Sequence, residues 1–378
     1  MGHCMLEKPT VLSICIPTYN RPECMRDCLS HYHKIISGNG LAGKVEICIS
    51  DNSESGSTGR AVRRFSKKLR LKYSRNKKNL GYDRNVILAL SMASGEFLQL
   101  AGDELFYSEK SLVQAVRLLE SGGFGAAMFD DDGLFPARSS VPKASLSGGE
   151  LLNKALSLRW VRNRNITHID YVIIRNSHFR EYLGFLGKGI GKLYGLTFIQ
   201  LSFYFFAFRR AGSVAILGKV NDSSGQNVPR RVGVYFPADD ARVFYNKYFF
   251  EIKACKDGGI LDASEYGAFK RSFLLSAPNH LLRIRTHMYP RIYGREIGGV
   301  LSQIVPVEKE YSGAEGLFLC ILRKCLFVRL IPYHLLYEAF VLFRSKVLKK
   351  PRVSALELYD SCLDGKKINR SGLYKTDF

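Results

Sequence analysis

The chain is short of acid: 34 Asp and Glu stand against 56 Lys and Arg in 378 residues, a formal charge of +22. Such a balance draws a protein to something anionic, whether nucleic acid, a phospholipid surface or a phosphorylated substrate, and charge alone does not choose among them. The shortage is local as well. Residues 60–78 hold ten Lys or Arg and no acid, and residues 323–352 hold eight against the single Glu338; runs of this kind are as often plain solvated faces as binding surfaces. No hydrophobic run is long enough to span a bilayer. The longest, YGLTFIQLSFYFFAF from Tyr194 to Phe208, has 15 residues where a span needs about 20, and it reads as a buried helix. The N-terminus lacks a charged segment followed by an apolar stretch and a small-residue cleavage site, so no secretion signal is predicted and a cytoplasmic location is expected. Nine cysteines, an odd count without repeated spacing, make no disulfide framework and read as reduced core residues. Internal repeats and nucleic-acid-binding motifs are absent too, which makes a DNA- or RNA-binding role the weakest reading of the charge.

What is present is enough for a packed protein: 46% hydrophobic and 12% aromatic residues allow burial to offset ordering entropy. Apolar runs at Val11–Ile16, Val45–Ser50, Leu71–Arg75 and Glu96–Leu100 read as strands. Between them, Arg21–Ile36, Arg60–Lys68 and Asp83–Ala93 read as helices, the first with Pro22 in its opening turn. Ser111–Ser121 continues as helix, and Ala126–Phe129 and Tyr171–Ile174 as strands. Alternating strands and helices predict an α/β fold with a mainly parallel sheet covered on both faces. A boundary is expected near 220–240, where DSSGQNVPRR supplies turn residues, dividing a domain over 8–225 from a basic, aromatic-rich, mostly helical region over 226–378. In that region residues 317–348 mix apolar groups with Arg and Lys and are interrupted by Pro332. The segment suits an amphipathic pair on an anionic bilayer and, equally, helices packed on the protein's own core.

In parallel α/β sheets ligands sit beyond the carboxyl ends of the strands. That rule selects Thr18, Tyr19, Asn20 and Arg21 after the first strand, Asp51 and Asn52 after the second, and Asp103 and Glu104 after the fourth. Two carboxylates at a strand end can hold Mg²⁺ or Mn²⁺, with waters and substrate phosphates completing the shell. Taken alone, such a pair is more often a surface turn.

In combination the motifs say more. The order VLSICIPTYNRPE, VEICISDNSESGSTG, NKKNLGYDRNVILALSMASGEFLQLAGDE resembles family 2 glycosyltransferases of the GT-A fold, and especially the abequosyltransferase-like and rhamnosyltransferase-like enzymes of bacterial surface polysaccharides. The likeness is strong over about 10–110 and faint to about 220. It implies an inverting transfer of a sugar from a nucleotide-diphosphate sugar to a glycan or lipid-linked oligosaccharide, with Mg²⁺ or Mn²⁺ on Asp103 and Glu104. It further implies that Pro17, Thr18 and Tyr19 wall the nucleotide, that Asp51 holds the base, and that Asn79, Arg84 and Asn85 lie near ribose and phosphate. Arg21, Asn52 and Asp83 join this nucleotide-binding set; Asp83 is most simply the ion-pair partner of Arg84.

Two departures stand out. Many relatives read Gly-Asp-Asp-Asp where this chain reads Gly102, Asp103, Glu104, Leu105, and the Glu-Asp pair that often supplies their base is replaced by the acid-free GKGIGKLYG. The candidates for a base are then Asp170, just before a strand and favoured for that reason, and Glu181, one or two turns into a helix. The Asp130–Asp132 triplet reads as a charged loop. Cys24, Cys28 and His31 fall on one helical face at zinc-ligand spacing but lack a fourth ligand, and His168 and His178 read as ordinary polar contacts. The eroded acidic motif keeps open a non-catalytic nucleotide- or glycan-binding protein as the alternative.

Overall fold

Strands that are apolar at nearly every position require cover on both faces, and the computed structural model supplies it. It describes residues 10–104, 107–130, 145–156, 169–187, 198–220, 241–287 and 293–327. Two compact units divide the chain, residues 1–230 with 250–272 and residues 231–249 with 273–378.

The first unit opens with β1 (Leu12–Thr18), α1 (Pro22–Gly38), β2 (Val45–Asp51), α2 (Ser57–Arg63), β3 (Leu71–Arg75), α3 (Tyr82–Ser91), β4 (Phe97–Leu100) and α4 (Glu109–Ser121). It continues with β5 (Ala126–Phe129), β6 (Ser145–Ser147), α5 (Gly148–Ala155), β7 (Val172–Arg175), α6 (Asn176–Leu186), α7 (Ile199–Arg210) and β8 (Ser213–Leu217). Pro22 sits at the start of α1, where its missing N–H costs nothing. That helix buries Met25, Cys28, Leu29, Tyr32, Ile35 and Ile36, the spacing of one face. This face packs with Leu12, Ile14 and Ile16 of β1 and Leu112 and Val116 of α4 in one core. The intervening β1 residues, Ser13 and Cys15, face the other way. There Glu46 of β2, without exposed surface, accepts hydrogen bonds from Ser13 Oγ (2.6 Å) and from Ser94 N and Oγ (2.6 and 2.8 Å), and pairs with Lys72 at 3.1 Å.

Strand order is β3-β2-β1-β4-β7-β5-β8-β6. The sheet is more mixed than the alternation predicts: β7 runs antiparallel to both β4 and β5, and β6 antiparallel to β8. Because Phe97 pairs with Arg175 and Gln99 with Ile173, the start of β7 lies at the end of β4. The insertion therefore carries whatever precedes β7 to the edge where β1, β2 and β4 terminate. The second helix is also shorter than the predicted Arg60–Lys68. After Arg63 the chain turns, with Phe65 N–H donating to Val62 O and both Lys68 and Leu69 N–H to Phe65 O, so that Leu69 enters the core. Within Tyr194–Phe208, the described part is the buried start and body of α7, whose residues from Ile199 to Phe208 are all buried.

The other unit contains a π-helical turn (Ala241–Lys247), α10 (Tyr293–Glu308), α11 (Gly313–Phe327), and parts of α8 (Tyr248–Asp257) and α9 (Ala263–His287). Phe273 meets Tyr245 and Phe249 at ring distances of 5.0 Å, and Asn246 Nδ2 donates to Gln303 O at 2.8 Å. Residues 328–378, with Pro332 and most of the basic 323–352 run, lie outside the described residues.

Candidate active site

Backbone geometry first brings the ends of β1 and β2 together. Asn52 N–H donates to Thr18 O at 3.0 Å, and Asn20 N–H to Ser53 Oγ at 2.7 Å. Asn20 has φ +53°, the left-handed region that asparagine tolerates better than most residues. Asp51 is fully buried, its Oδ1 accepting from Ser53 N (2.8 Å) and its Oδ2 from the Tyr73 hydroxyl (2.8 Å). Burial, followed by the bond to Asp51, raises the pKa of Tyr73, so that it remains a donor.

A network of amides then fixes the start of α3. Asn52 Nδ2 donates to Asn79 Oδ1 (3.0 Å) and Gly81 O (3.1 Å), while its Oδ1 accepts from Asn76 Nδ2 at 2.7 Å. Asn76 Nδ2 also reaches Asn85 Oδ1 at 3.1 Å, and Asn85 Nδ2 returns to Thr18 O at 3.2 Å. Gly81, at φ +80°, makes the turn into the helix. Asn52 and Asn85 thus spend their side chains on holding loops. Asp83 is buried and Arg84 exposed; successive helical side chains diverge by about 100°, so the two face different surroundings. Pro17 and Tyr19 are half-buried on the same edge.

Beyond β4 lies the acidic cluster. Asp103 Oδ2 accepts from Thr18 Oγ1 at 2.7 Å, and Arg21 Nη1 donates to Asp103 Oδ1 at 3.2 Å and to Glu104 Oε1. Burial pushes the Asp103 carboxyl upward, against the pull of Arg21 and Thr18. Asp170 joins from the short 3-10 turn Ile169–Tyr171 ahead of β7, its Oδ1 accepting the Gly102 N–H at 2.6 Å. Gln99 Nε2 (2.7 Å) and the Tyr107 hydroxyl (3.0 Å) both donate to the Asp170 carbonyl and pin the turn. Burial first, and then the charges of Asp103 and Glu104, push the Asp170 carboxyl to about 7 against the Gly102 hydrogen bond.

Glu181 does not share this edge. It sits on α6, which starts where β7 ends, beside Gly95 at the opposite end of β4, and it pairs with Arg210 at 2.8 Å. The antiparallel course of β7 is what separates the two candidate bases. Asp130 is buried after β5, whereas Asp131, Asp132, Leu105, His168 and most of GKGIGKLYG lie outside the described residues. Cys28 is buried in the core and His31 Nε2 bonds Tyr107 O at 2.6 Å; His178 is buried, which holds its imidazole below the usual range. Sequence reasoning missed Asn76 and Tyr73. Asn76 lies just past the end of β3 and Tyr73 in the middle of that strand, where the carboxyl-end rule does not point.

For Mg²⁺ or Mn²⁺ the donor chemistry fits: two adjacent hard-oxygen carboxylates at a strand end leave room for waters and phosphates as the other ligands. Arg21 holds both carboxylates, so a divalent cation and this guanidinium would compete for the same oxygens.

An α/β sheet that gathers carboxylates, an arginine and an amide network at its strand ends, with a reversed strand delivering one of the acids, defines a domain of the GT-A type. Residues 13–183 match the family model of glycosyl transferase family 2. Abequosyltransferase RfbV of Salmonella typhimurium (strain LT2) is 33% identical over 113 residues, 29% of this chain and 33% of the relative, so the match spans about a third of that protein's length. The crystal structure of S. aureus TarS superposes with a TM-score of 0.52 at 13% identity, covering 84% of this chain and 55% of that one. That likeness extends to the fold.

Proposed function

We propose that the protein is an inverting glycosyltransferase, moving a sugar from a nucleotide-diphosphate sugar to a hydroxyl of a glycan or lipid-linked oligosaccharide in surface-polysaccharide synthesis. The observation that carries this reading is the meeting of Asp170 with Gly102, beside Asp103 and behind the Thr18–Arg21 loop. Asp51 and the Pro17–Tyr19 wall take the base and ribose, with Asn79 and Arg84 toward ribose and phosphate. Asp103 and Glu104 hold Mg²⁺ or Mn²⁺, which when bound supplies positive charge to the leaving diphosphate.

Asp170 is the base. Its carboxylate takes the acceptor's O–H proton, the freed oxygen bonds to the anomeric carbon, and the electron pair of the breaking C–O bond leaves with the diphosphate. A carboxyl poised near neutrality suits that task, and such catalysis is worth about 10² to 10⁴ in rate. Incubation of the purified chain with a panel of nucleotide sugars and Mn²⁺ tests the proposal: donor cleavage is expected, and is lost in Asp103→Ala. Donor binding without cleavage by any donor, with or without added glycan, would instead identify a non-catalytic binder.

A further inference from the structure

A cleft of about 200 Å³ opens between α1 and α2, lined by the arginines Arg26, Arg60 and Arg64 together with Pro22, Glu23 and Ser57. Pro22 and Ser57 begin their helices, so the cleft lies at the end of the sheet where β1 and β2 terminate, next to the Asn20–Ser53 bridge. The guanidiniums of Arg75 and Arg60 converge nearby, 3.5 and 3.8 Å from where a side chain on Gly56 would begin. Of the ten cations in residues 60–78, Arg70 and Lys72 turn inward to Glu46. The remaining eight are exposed and meet no carboxylate among the described residues. Some of them rim the cleft, and Lys67 and Lys68 carry the charge down the flank beside the edge strand β3.

We infer that this rim is a docking surface for an anionic phospholipid bilayer, with the cleft receiving a lipid phosphate. One phosphate needs two or three donors; eight exposed cations close together in the chain, meeting no carboxylate among the described residues, repel one another and match a surface bearing many phosphates. Arginine forks suit phosphate oxygens bidentately. Nucleic acid fits less well, because the aromatics that would stack on bases are engaged: Phe65 is half-buried against His33, and Tyr73 is tied to Asp51. No helix among the described residues is long and apolar enough to cross a membrane, so their hold on one is peripheral. The inference rests on the proposed lipid-linked acceptor only for its purpose, since docking this edge would turn the donor site toward the bilayer.

The test is co-sedimentation of the full chain with vesicles of mixed phosphatidylglycerol and phosphatidylcholine, and with pure phosphatidylcholine, at about 0.1 M salt, where screening leaves close contacts intact. Binding is expected on the anionic vesicles alone. Each well-placed Lys or Arg contributes about fivefold in partition, from about 1 kcal/mol. Arg60→Gln with Arg64→Gln, checked by thermal unfolding, therefore lowers binding roughly thirtyfold, while Arg117→Gln with Lys253→Gln on other helices leaves it near wild type. Undiminished binding of the Arg60 and Arg64 variant would put the anchor elsewhere, the 323–352 run included, and overturn the inference. So would a short RNA duplex that binds and displaces vesicles, or pyrophosphate binding without any vesicle partition. Donor cleavage is measured separately in vesicle-free buffer, so failure of the enzymatic reading and failure of docking are told apart.

Discussion

The Gly102 N–H donates to Asp170 Oδ1 over 2.6 Å, across 68 residues of chain. The contact is made by the backbone alone: a side chain at this position would begin 3.7 Å from the same oxygen, at ordinary van der Waals distance. An antiparallel strand between β4 and β5 is what makes the meeting, because it delivers its first residues, and not its last, to the site.

Asp170→Asn is expected to lower turnover about 10²- to 10⁴-fold, the usual worth of a general base, while donor affinity changes little. Since the carboxylate must be unprotonated to accept a proton, wild-type turnover should rise with pH through about 7. The bound cation and donor will move that midpoint, a pH–rate profile at saturating donor locates it, and the variant's profile should lack the rise.

Arg21 offers a different prediction. Its guanidinium bridges Asp103 and Glu104, the oxygens proposed for the metal. Arg21→Met should therefore tighten Mn²⁺ binding to the nucleotide-free protein about tenfold, equivalent to about 1.4 kcal/mol, as read by calorimetry, even as sugar transfer falls. Weaker Mn²⁺ binding in the variant would mean that Arg21 supports the metal and does not exclude it.

Glu46 tests the scaffold under the site. Burial opposes its charge, but hydrogen bonds from Ser13 and Ser94 and the Lys72 ammonium hold its pKa below the usual range. A carboxyl lowered in the folded state contributes stability above its unfolded value of about 4.3, and loses it as pH falls through the folded pKa. Glu46→Gln should cost about 2 to 4 kcal/mol at pH 7, and in denaturant titrations the gap between variant and wild type should narrow toward pH 3.

The strand ends of β1, β2 and β4 were legible because apolar runs stop at polar residues, and the carboxyl-end rule then named Thr18, Arg21, Asp51 and Asp103. Asp170 was legible as a residue just ahead of a strand, but its position depended on strand direction. Val172–Ile174 is buried on both sides and would read the same run either way. Asn76 escaped because nothing in RNKKNLG distinguishes an amide that bridges two loops from one that faces solvent. The early end of α2 was hidden for a related reason: Leu69 continues the helical period of Val62 and Phe65, yet reaches the core through a turn.

Tyr73 links that short helix to the loop that follows β2. Its hydroxyl donates to Asp51 at 2.8 Å, and a side chain on Gly59 of α2 would begin 2.8 Å from the same hydroxyl, too close for either to stay in place. Tyr73→Phe removes one donor from a fully buried carboxylate, at a cost of about 1 to 3 kcal/mol, and Gly59→Ala should push the ring away and mimic it. If Asp51 reads the base, both variants should raise the donor KM several-fold while kcat stays near wild type, because Asp103 and Asp170 are held by other partners. A fall in kcat with KM unchanged would move Asp51 from holding the nucleotide to supporting the reacting groups.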